Sequence, residues 1–212
     1  NILAEGRRRL SAMEAKAVLT DFRIPVNRTA EARSANEALI AAESMGFPVA
    51  VKIGSAQLSH KSDVGGVRLN VADALAVRNA FHDLLDQVKR VAPDLAVENV
   101  TVERMYNRPN GRELRLRVFR DPVFGPVVSF SAGGQSVDTL RDRGVALPPL
   151  NHFIIQRMIE RTQVARLLGE FRNMPAVNHL ALYNALQRLS EMVCELPEVM
   201  AIDIDPLIVD EH

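Results

Sequence analysis

One cysteine, Cys194, in 212 residues leaves no partner for an internal disulfide, and a lone thiol fits a reducing, cytoplasmic setting. It falls in the apolar helical stretch Leu189 to Leu196, so a buried structural thiol is expected rather than a nucleophile. No apolar run approaches the roughly 20 residues that cross a bilayer, and no charged start with an apolar core and cleavage site marks an export signal. Net charge is zero, with 26 acids against 26 bases. Apart from Arg7-Arg8-Arg9 the arginines are spread over both halves, which excludes the basic stripe of a nucleic-acid footprint. No Cys/His group has zinc spacing and no serine sits in a nucleophile elbow. Neither a Walker loop nor a dinucleotide fingerprint occurs.

Lysine is scarce as well, at 4 residues against 22 arginines. Two of them, Lys52 and Lys61, nevertheless fall together in the segment Lys52 to Val67, with His60, Asp63, Gly54, Gly65 and Gly66. A compact ammonium on a flexible stem suits that segment better than a guanidinium fork. The 47% apolar and 25% charged composition is that of an ordinary globular protein with a substantial core. A chain that starts at Asn1 and stops at His212 directly after a strand-like run reads as a piece of a longer polypeptide.

Ser11-Ala12-Met13-Glu14 and Ser34-Ala35-Asn36-Glu37 carry the Ser-x-x-Glu spacing of reciprocal helix capping. The first helix is expected to run to about Arg23, before Ile24-Pro25, and the second to end at Gly46. Pro48 to Ile53 reads as a strand, Val67 to Val71 as a second, and Asp73 to Ala92 as a helix with Leu75, Val77, Phe81, Leu84, Leu85 and Val88 at helical spacing. Pro93-Asp94 marks the expected boundary, with a linker over 1–10, a first lobe over 11–93 and a second over 94–212. The second half opens with strands Val97 to Met105, Glu113 to Arg120 and Pro126 to Ser131, separated by turn sequences. Helical stretches at Asn151 to Glu160, Gln163 to Glu170 and Val177 to Leu196 precede a last strand, Val199 to Val209.

A lysine at the end of a buried strand, followed by a glycine-containing loop, can hold a polyphosphate by point charge and backbone donors. A solvated hairpin is the plainer alternative. The layout suits a nucleotide clamped between two lobes, with Lys52 and the loop on one side and a charged sheet face on the other. Glu103 and Glu113, at a strand end and a strand start, could accept from an adenine amine or a ribose hydroxyl. Asp203 and Asp205 project to one side of the last strand, about 7 Å apart, a spacing at which two carboxylates share a hydrated Mg²⁺ with phosphate oxygens. His60 is either surface decoration or, beside lysine and amides that bind phosphate, a phosphorylated nucleophile.

The ordered motifs Val51-Lys52-Ile53 to His60-Lys61-Ser62-Asp63-Val64-Gly65-Gly66-Val67, Asp121-Pro122-Val123-Phe124-Gly125-Pro126, Leu147-Pro148-Pro149-Leu150-Asn151 and Asp203-Ile204-Asp205-Pro206-Leu207 together resemble the ATP-grasp domain of the ADP-forming acyl-CoA synthetases. The resemblance runs from about Leu10 to the end. The stretches Arg166 to Pro175 and Ser190 to Pro197 resemble more narrowly the central domain of bacterial GNAT-type protein lysine acetyltransferases.

The resemblance implies a mixed α/β, two-lobed ATP-grasp fold with a nucleotide cleft between the lobes, binding ATP or ADP with Mg²⁺. It places Lys52, Lys61, Gly65 and Gly66 at the phosphates, Glu103 at the adenine, Glu113 at the ribose and Asp205, with Asp203, at the metal. His60 matches a loop histidine that relays a phosphoryl group in a reaction joining acid, CoA and ATP to acyl-CoA, ADP and phosphate. The implied partners are CoA-binding and GNAT regions of the same parent. The alternative is a non-catalytic module that senses nucleotide or acyl-CoA. The chain departs from the family pattern at Arg115 and Arg117, where the pattern has an apolar residue and a glycine, at Asp138 in place of glutamate, and at Asp205 in place of a frequent asparagine. The family's second metal-binding aspartate would fall downstream of His212. These departures bear on ATP turnover more than on ATP binding.

Overall fold

The computed structural model describes residues 6–54, 65–97, 99–106, 108–134, 142–171 and 173–212. Two compact units account for them, one holding the chain up to Asp21 and Pro25–Asn107, the other Phe22–Ile24 and Arg108–His212.

In the first unit both capping sequences start helices, the first reciprocally as read, the second with Glu37 accepting from the Arg33 N–H in place of Ser34's. The Glu14 N–H donates to Ser11 Oγ at 3.2 Å and the Ser11 N–H to Glu14 Oε2 at 2.7 Å, which starts α1 (Ala12–Asp21). Ser34 caps α2 (Ala35–Met45), and Gly46, at φ 83°, ends it in a backbone region open to glycine. Between these helices lies β1 (Thr29–Ala32), then β2 (Val49–Gly54), β3 (Val67–Val71), α3 (Ala74–Val91) and β4 (Asn99–Arg104). The strands form an antiparallel sheet in the order β1-β4-β2-β3. Val49, Val51, Ile53, Val100, Val102 and Ala32 share one face and are buried with α2 and α3 through Ala38, Ala42, Val77, Phe81, Leu84 and Val88. Leu75, expected on the inner stripe of α3, is 69% exposed, because it precedes the Val77-Phe81-Leu84-Val88 run by half a turn.

One element carries no signal in the sequence, and one expectation is corrected. Thr29–Ala32 is a strand, although its small, mixed residues carry no alternating apolar pattern. Its conformation comes from non-local pairing, with Thr29 opposite Glu103 and Ala32 opposite Val100. The strand read at Val97 to Met105 is β4, and it sits between β1 and β2 instead of opening the second lobe. The boundary therefore lies after residue 107, not at Pro93-Asp94, and Glu103 belongs to the first unit.

The second unit is built on β5 (Arg112–Asp121), β6 (Gly125–Ala132), β7 (Arg143–Ala146) and β8 (Ala201–Val209), antiparallel in the order β7-β6-β5-β8. Asp121 Oδ1 accepts from the Val123 and Phe124 N–H groups, closing the turn between β5 and β6. The helices are α4 (His152–Glu160), α5 (Ala165–Leu168) and α6 (His179–Glu195), the first and last capped by the side chains of Asn151 and Asn178. Leu114, Leu116, Val118, Val128 and Phe130 are buried, as are Ile155 and Met158 of α4 and Leu182, Leu186 and Leu189 of α6.

The helix expected over Gln163 to Glu170 shrinks to Ala165–Leu168. Arg112, only 7% exposed, meets its end: the guanidinium donates to the carbonyls of Leu167 and Gly169, which the last turn leaves without partners inside the helix, and to those of Pro175 and Asn110. Cys194 is exposed, contrary to expectation. It lies one residue past the buried Leu182-Leu186-Leu189-Val193 stripe of α6, and one residue is a turn of about 100°.

Candidate functional site

Opposite residues of an antiparallel pair share a face, so the register fixes which side chains meet in the first unit. Lys52 faces Thr101, Ala50 faces Glu103, and Glu103 faces Thr29, which puts Lys52, Thr101, Glu103 and Thr29 on the face away from the apolar core. There Lys52 Nζ donates to Glu103 Oε2 at 2.8 Å, and Lys16 Nζ, from α1, lies 3.3 Å from Glu103 Oε1. Asn27 Nδ2 donates to the same carboxylate at 3.2 Å, and Lys16 also donates to Thr29 Oγ1.

Burial by itself would push the Glu103 carboxyl up, but Lys52, then Lys16 and Asn27, outweigh it and hold the group down at about 2. Desolvation pulls the Lys16 ammonium below its ordinary value, against the attraction of Glu103. Two of the four lysines in the chain thus meet at one carboxylate, and the cluster keeps one positive charge in excess. Lys16 was not singled out in the sequence. The scarcity of lysine that marks Lys52 and Lys61 applies equally to it.

In the second unit Glu113, Arg115 and Arg117 alternate with the buried Leu114, Leu116 and Val118. Arg117 faces Asp203 across β5 and β8, and the register shifts between Leu114 and Leu116, where β8 has one residue more and carries Asp205 and Pro206. A proline, lacking an N–H, is tolerated at such a bulge. Arg115 forms a fork with Asp203, Nε to Oδ1 at 2.8 Å and Nη2 to Oδ2 at 2.6 Å. Arg115 Nε also lies 3.5 Å from Asp205 Oδ2, and Arg117 Nε 3.5 Å from Asp203 Oδ2. Asp205 Oδ1 accepts the Gly134 N–H at 2.9 Å, and the Gly133 N–H donates to the Glu113 carbonyl at 2.8 Å. The chain after β6 is pressed so close to β5 that a Cβ on Gly133 would stand 2.5 Å from Leu114 O, and one on Gly134 would strike the Glu113 carboxylate.

Lys52, Glu103, Glu113, Asp203 and Asp205 thus all lie on polar sheet faces, Lys52 with Glu103 in one unit and Glu113 with both aspartates in the other. Gly65 and Gly66 lead into β3: the Gly66 carbonyl accepts from Ile53 N–H at 2.9 Å and extends the ladder beside Lys52. His60, Lys61 and Asp138 lie outside the described residues. For a metal, the arrangement departs from expectation. Among the described residues no group of three or more His, Cys, Asp or Glu could hold one. Both Asp203 oxygens face Arg115 and one Asp205 oxygen faces a backbone amide, so the aspartate pair as built does not fit Mg²⁺ held by both carboxylates.

The family model described as an ATP-grasp domain matches residues 1–212. The chain belongs to the ATP-grasp family. Within it, the chain is 36% identical over 194 residues to the subunit beta of acetate–CoA ligase [ADP-forming] I of Pyrococcus furiosus, covering 92% of this chain and 83% of that one. It is 34% identical over 209 residues to acetate–CoA ligase [ADP-forming] I of Archaeoglobus fulgidus, covering 99% of this chain but 30% of that protein.

Among solved structures, the ATP-grasp chain here is similar to the dinucleotide-forming acetyl-coenzyme A synthetase 1 of Ca. Korarchaeum cryptofilum in complex with coenzyme A, Ca-AMPCP and HgCl+. The TM-score is 0.95 at 34% identity, over 100% of this chain and 91% of that one. The same synthetase with coenzyme A and Mg-AMPPCP, its phosphohistidine segment pointing towards the nucleotide binding site, gives 0.85 at 32% identity over 99% and 90%. The mixed α/β fold with antiparallel sheets is that of the ATP-grasp domain of ADP-forming acetyl-CoA synthetases.

Proposed function

We propose that this ATP-grasp domain binds ATP or ADP as part of a larger acyl-CoA-synthetase-like protein. The observation that carries the reading is the Lys52–Glu103–Lys16 cluster, which holds two ammonium groups and a net positive charge at the root of the segment that contains His60. A polyphosphate competes with Glu103 for Lys52, with the Gly65-Gly66 backbone beside it. Glu103 then serves the adenine amine and Glu113 the ribose. His60 relays the phosphoryl group, and the parent supplies the CoA site. Mg²⁺ comes with the nucleotide, since the aspartate pair does not fit it.

A second reading is favoured by Arg115 and Arg117 on the Glu113 face: a module that senses nucleotide without turnover, in a parent with a C-terminal GNAT acetyltransferase domain. Its support is the resemblance of Arg166 to Pro175 and Ser190 to Pro197 to that class.

Thermal unfolding of the full-length parent with and without ATP tests the common claim. At 100 times Kd the nucleotide adds about 2.7 kcal/mol, or about 5 to 10 °C in Tm for a domain of this size. Lys52→Ala removes most of that shift, and an unchanged shift in the variant would sink the proposal. Incubation with labelled ATP separates the readings: an acid-labile label on His60 supports the relay, and its absence in protein that shows the Tm shift supports the sensor.

A further inference from the structure

The aspartates of β8 lie where a nucleotide's metal is expected, and the structure fills that place with a side chain. Of the four carboxylate oxygens on Asp203 and Asp205, two are in the fork with Arg115 and one accepts the Gly134 N–H. The fourth, Asp205 Oδ2, lies 3.5 Å from Arg115 Nε. Arg115 is only 17% exposed, so its charge is poorly screened by water, and a guanidinium cannot deprotonate to give way. Arg117 also lies 3.5 Å from Asp203, and the Glu113 carboxylate stands beside Gly134 on the same face. Mg²⁺ demands close, nearly octahedral oxygen ligands and gives up its own waters reluctantly. An aspartate pair whose oxygens are engaged by a guanidinium fork and a backbone amide offers it little.

We infer that Arg115 is an internal counter-cation that occupies the Asp203–Asp205 pair in place of a divalent ion, and so lowers the dependence of nucleotide binding on Mg²⁺. Arg115 acts as a positioning residue: it holds Asp203 and biases Asp205 towards the Gly134 amide. The consequence for nucleotide rests on the reading proposed above, whereas the exclusion of a metal does not.

The test has two arms on the intact protein. In the first, Mn²⁺ alone is titrated without nucleotide and followed by electron paramagnetic resonance of the free ion. Arg115→Met binds Mn²⁺ about tenfold more tightly than the natural protein, the order expected when one facing charge is removed from a partly buried carboxylate pair. Asp203→Asn in the Arg115→Met background abolishes the gain. Equal Mn²⁺ affinity in the natural protein and Arg115→Met overturns the inference. Arg115→Gln, which keeps donors but no charge, is the substitute if circular dichroism shows that the methionine variant does not fold.

In the second arm, ATP affinity is measured calorimetrically in EDTA and in excess Mg²⁺. The natural protein changes by less than about threefold between the two conditions and Arg115→Met by about tenfold or more. Equal ratios in the two proteins overturn the inference. Absence of ATP binding in every condition refutes the nucleotide reading alone, and the Mn²⁺ arm then decides the role of Arg115.

Discussion

Glu103→Gln lowers the stability of the first unit by about 3 kcal/mol at pH 7, and the loss shrinks to nothing in strong acid. The natural carboxylate is 8% exposed and titrates at about 2 in place of 4.5, so it is bound more tightly as an anion in the folded chain than in the unfolded one. A depressed carboxylate contributes stability above its unfolded value and loses it as pH falls through the folded one. The gap between the natural protein and Glu103→Gln is therefore full above about pH 5 and closes between about pH 4.5 and 2. Much of the loss at neutral pH comes from Lys16 and Lys52, left facing each other without the charge between them. Urea denaturation at a series of pH values measures it. A gap that stays constant from pH 7 to pH 2 would show that amide geometry, not charge, is responsible.

Arg112→Leu costs about 3 kcal/mol in the second unit: the bonds of one buried guanidinium are lost together, and water reaching acceptors such as that of the 44% exposed Leu167 keeps the total far below four separate charged bonds of about 1.5–3 kcal/mol each. The bonds are to Leu167 at 2.9 Å, Gly169 at 3.3 Å, Pro175 at 2.6 Å and Asn110. They tie the start of β5, next to Glu113, to a segment with little regular structure of its own. Arg112→Lys recovers only part of the loss, since a single ammonium cannot span acceptors that a planar fork reaches together. Hydrogen exchange gives the local readout: the Val177 N–H, bonded to Leu168 O at 2.9 Å, loses protection at denaturant concentrations where the amides of β6 keep theirs.

Much of this fold is legible where the code is local. The Ser11–Glu14 and Ser34–Glu37 spacings and the alternation from Glu113 to Val118 each specify conformation within a few residues, and the helix starts and the buried face appear there. Elements held by distant partners are not legible in that way. Thr29–Ala32 is a strand only because β4 lies beside it, and the carbonyls at the end of α5 find their donor in Arg112, more than 50 positions earlier. The same division runs through the candidate sites. Lys52, Glu103, Glu113, Asp203 and Asp205 could be picked out by residue type and strand position. Lys16 joins them through a helix packed against β1, and the fork between Arg115 and Asp203 spans 88 residues of sequence.

The close approach of Gly133 to Leu114 also sets the evolutionary freedom of that stretch of chain. A side chain at 133 would have to displace backbone, since its first carbon would meet Leu114 O at 2.5 Å and Leu114 N at 2.9 Å. Gly169, by contrast, has nothing within 4 Å of the same added carbon and an ordinary negative φ of −78°. In a saturation library scored by soluble yield, codon 133 stays closed to all substitutions while codon 169 admits alanine freely. Drift in this domain is thus channelled away from the strand junction and into the loop that follows α5.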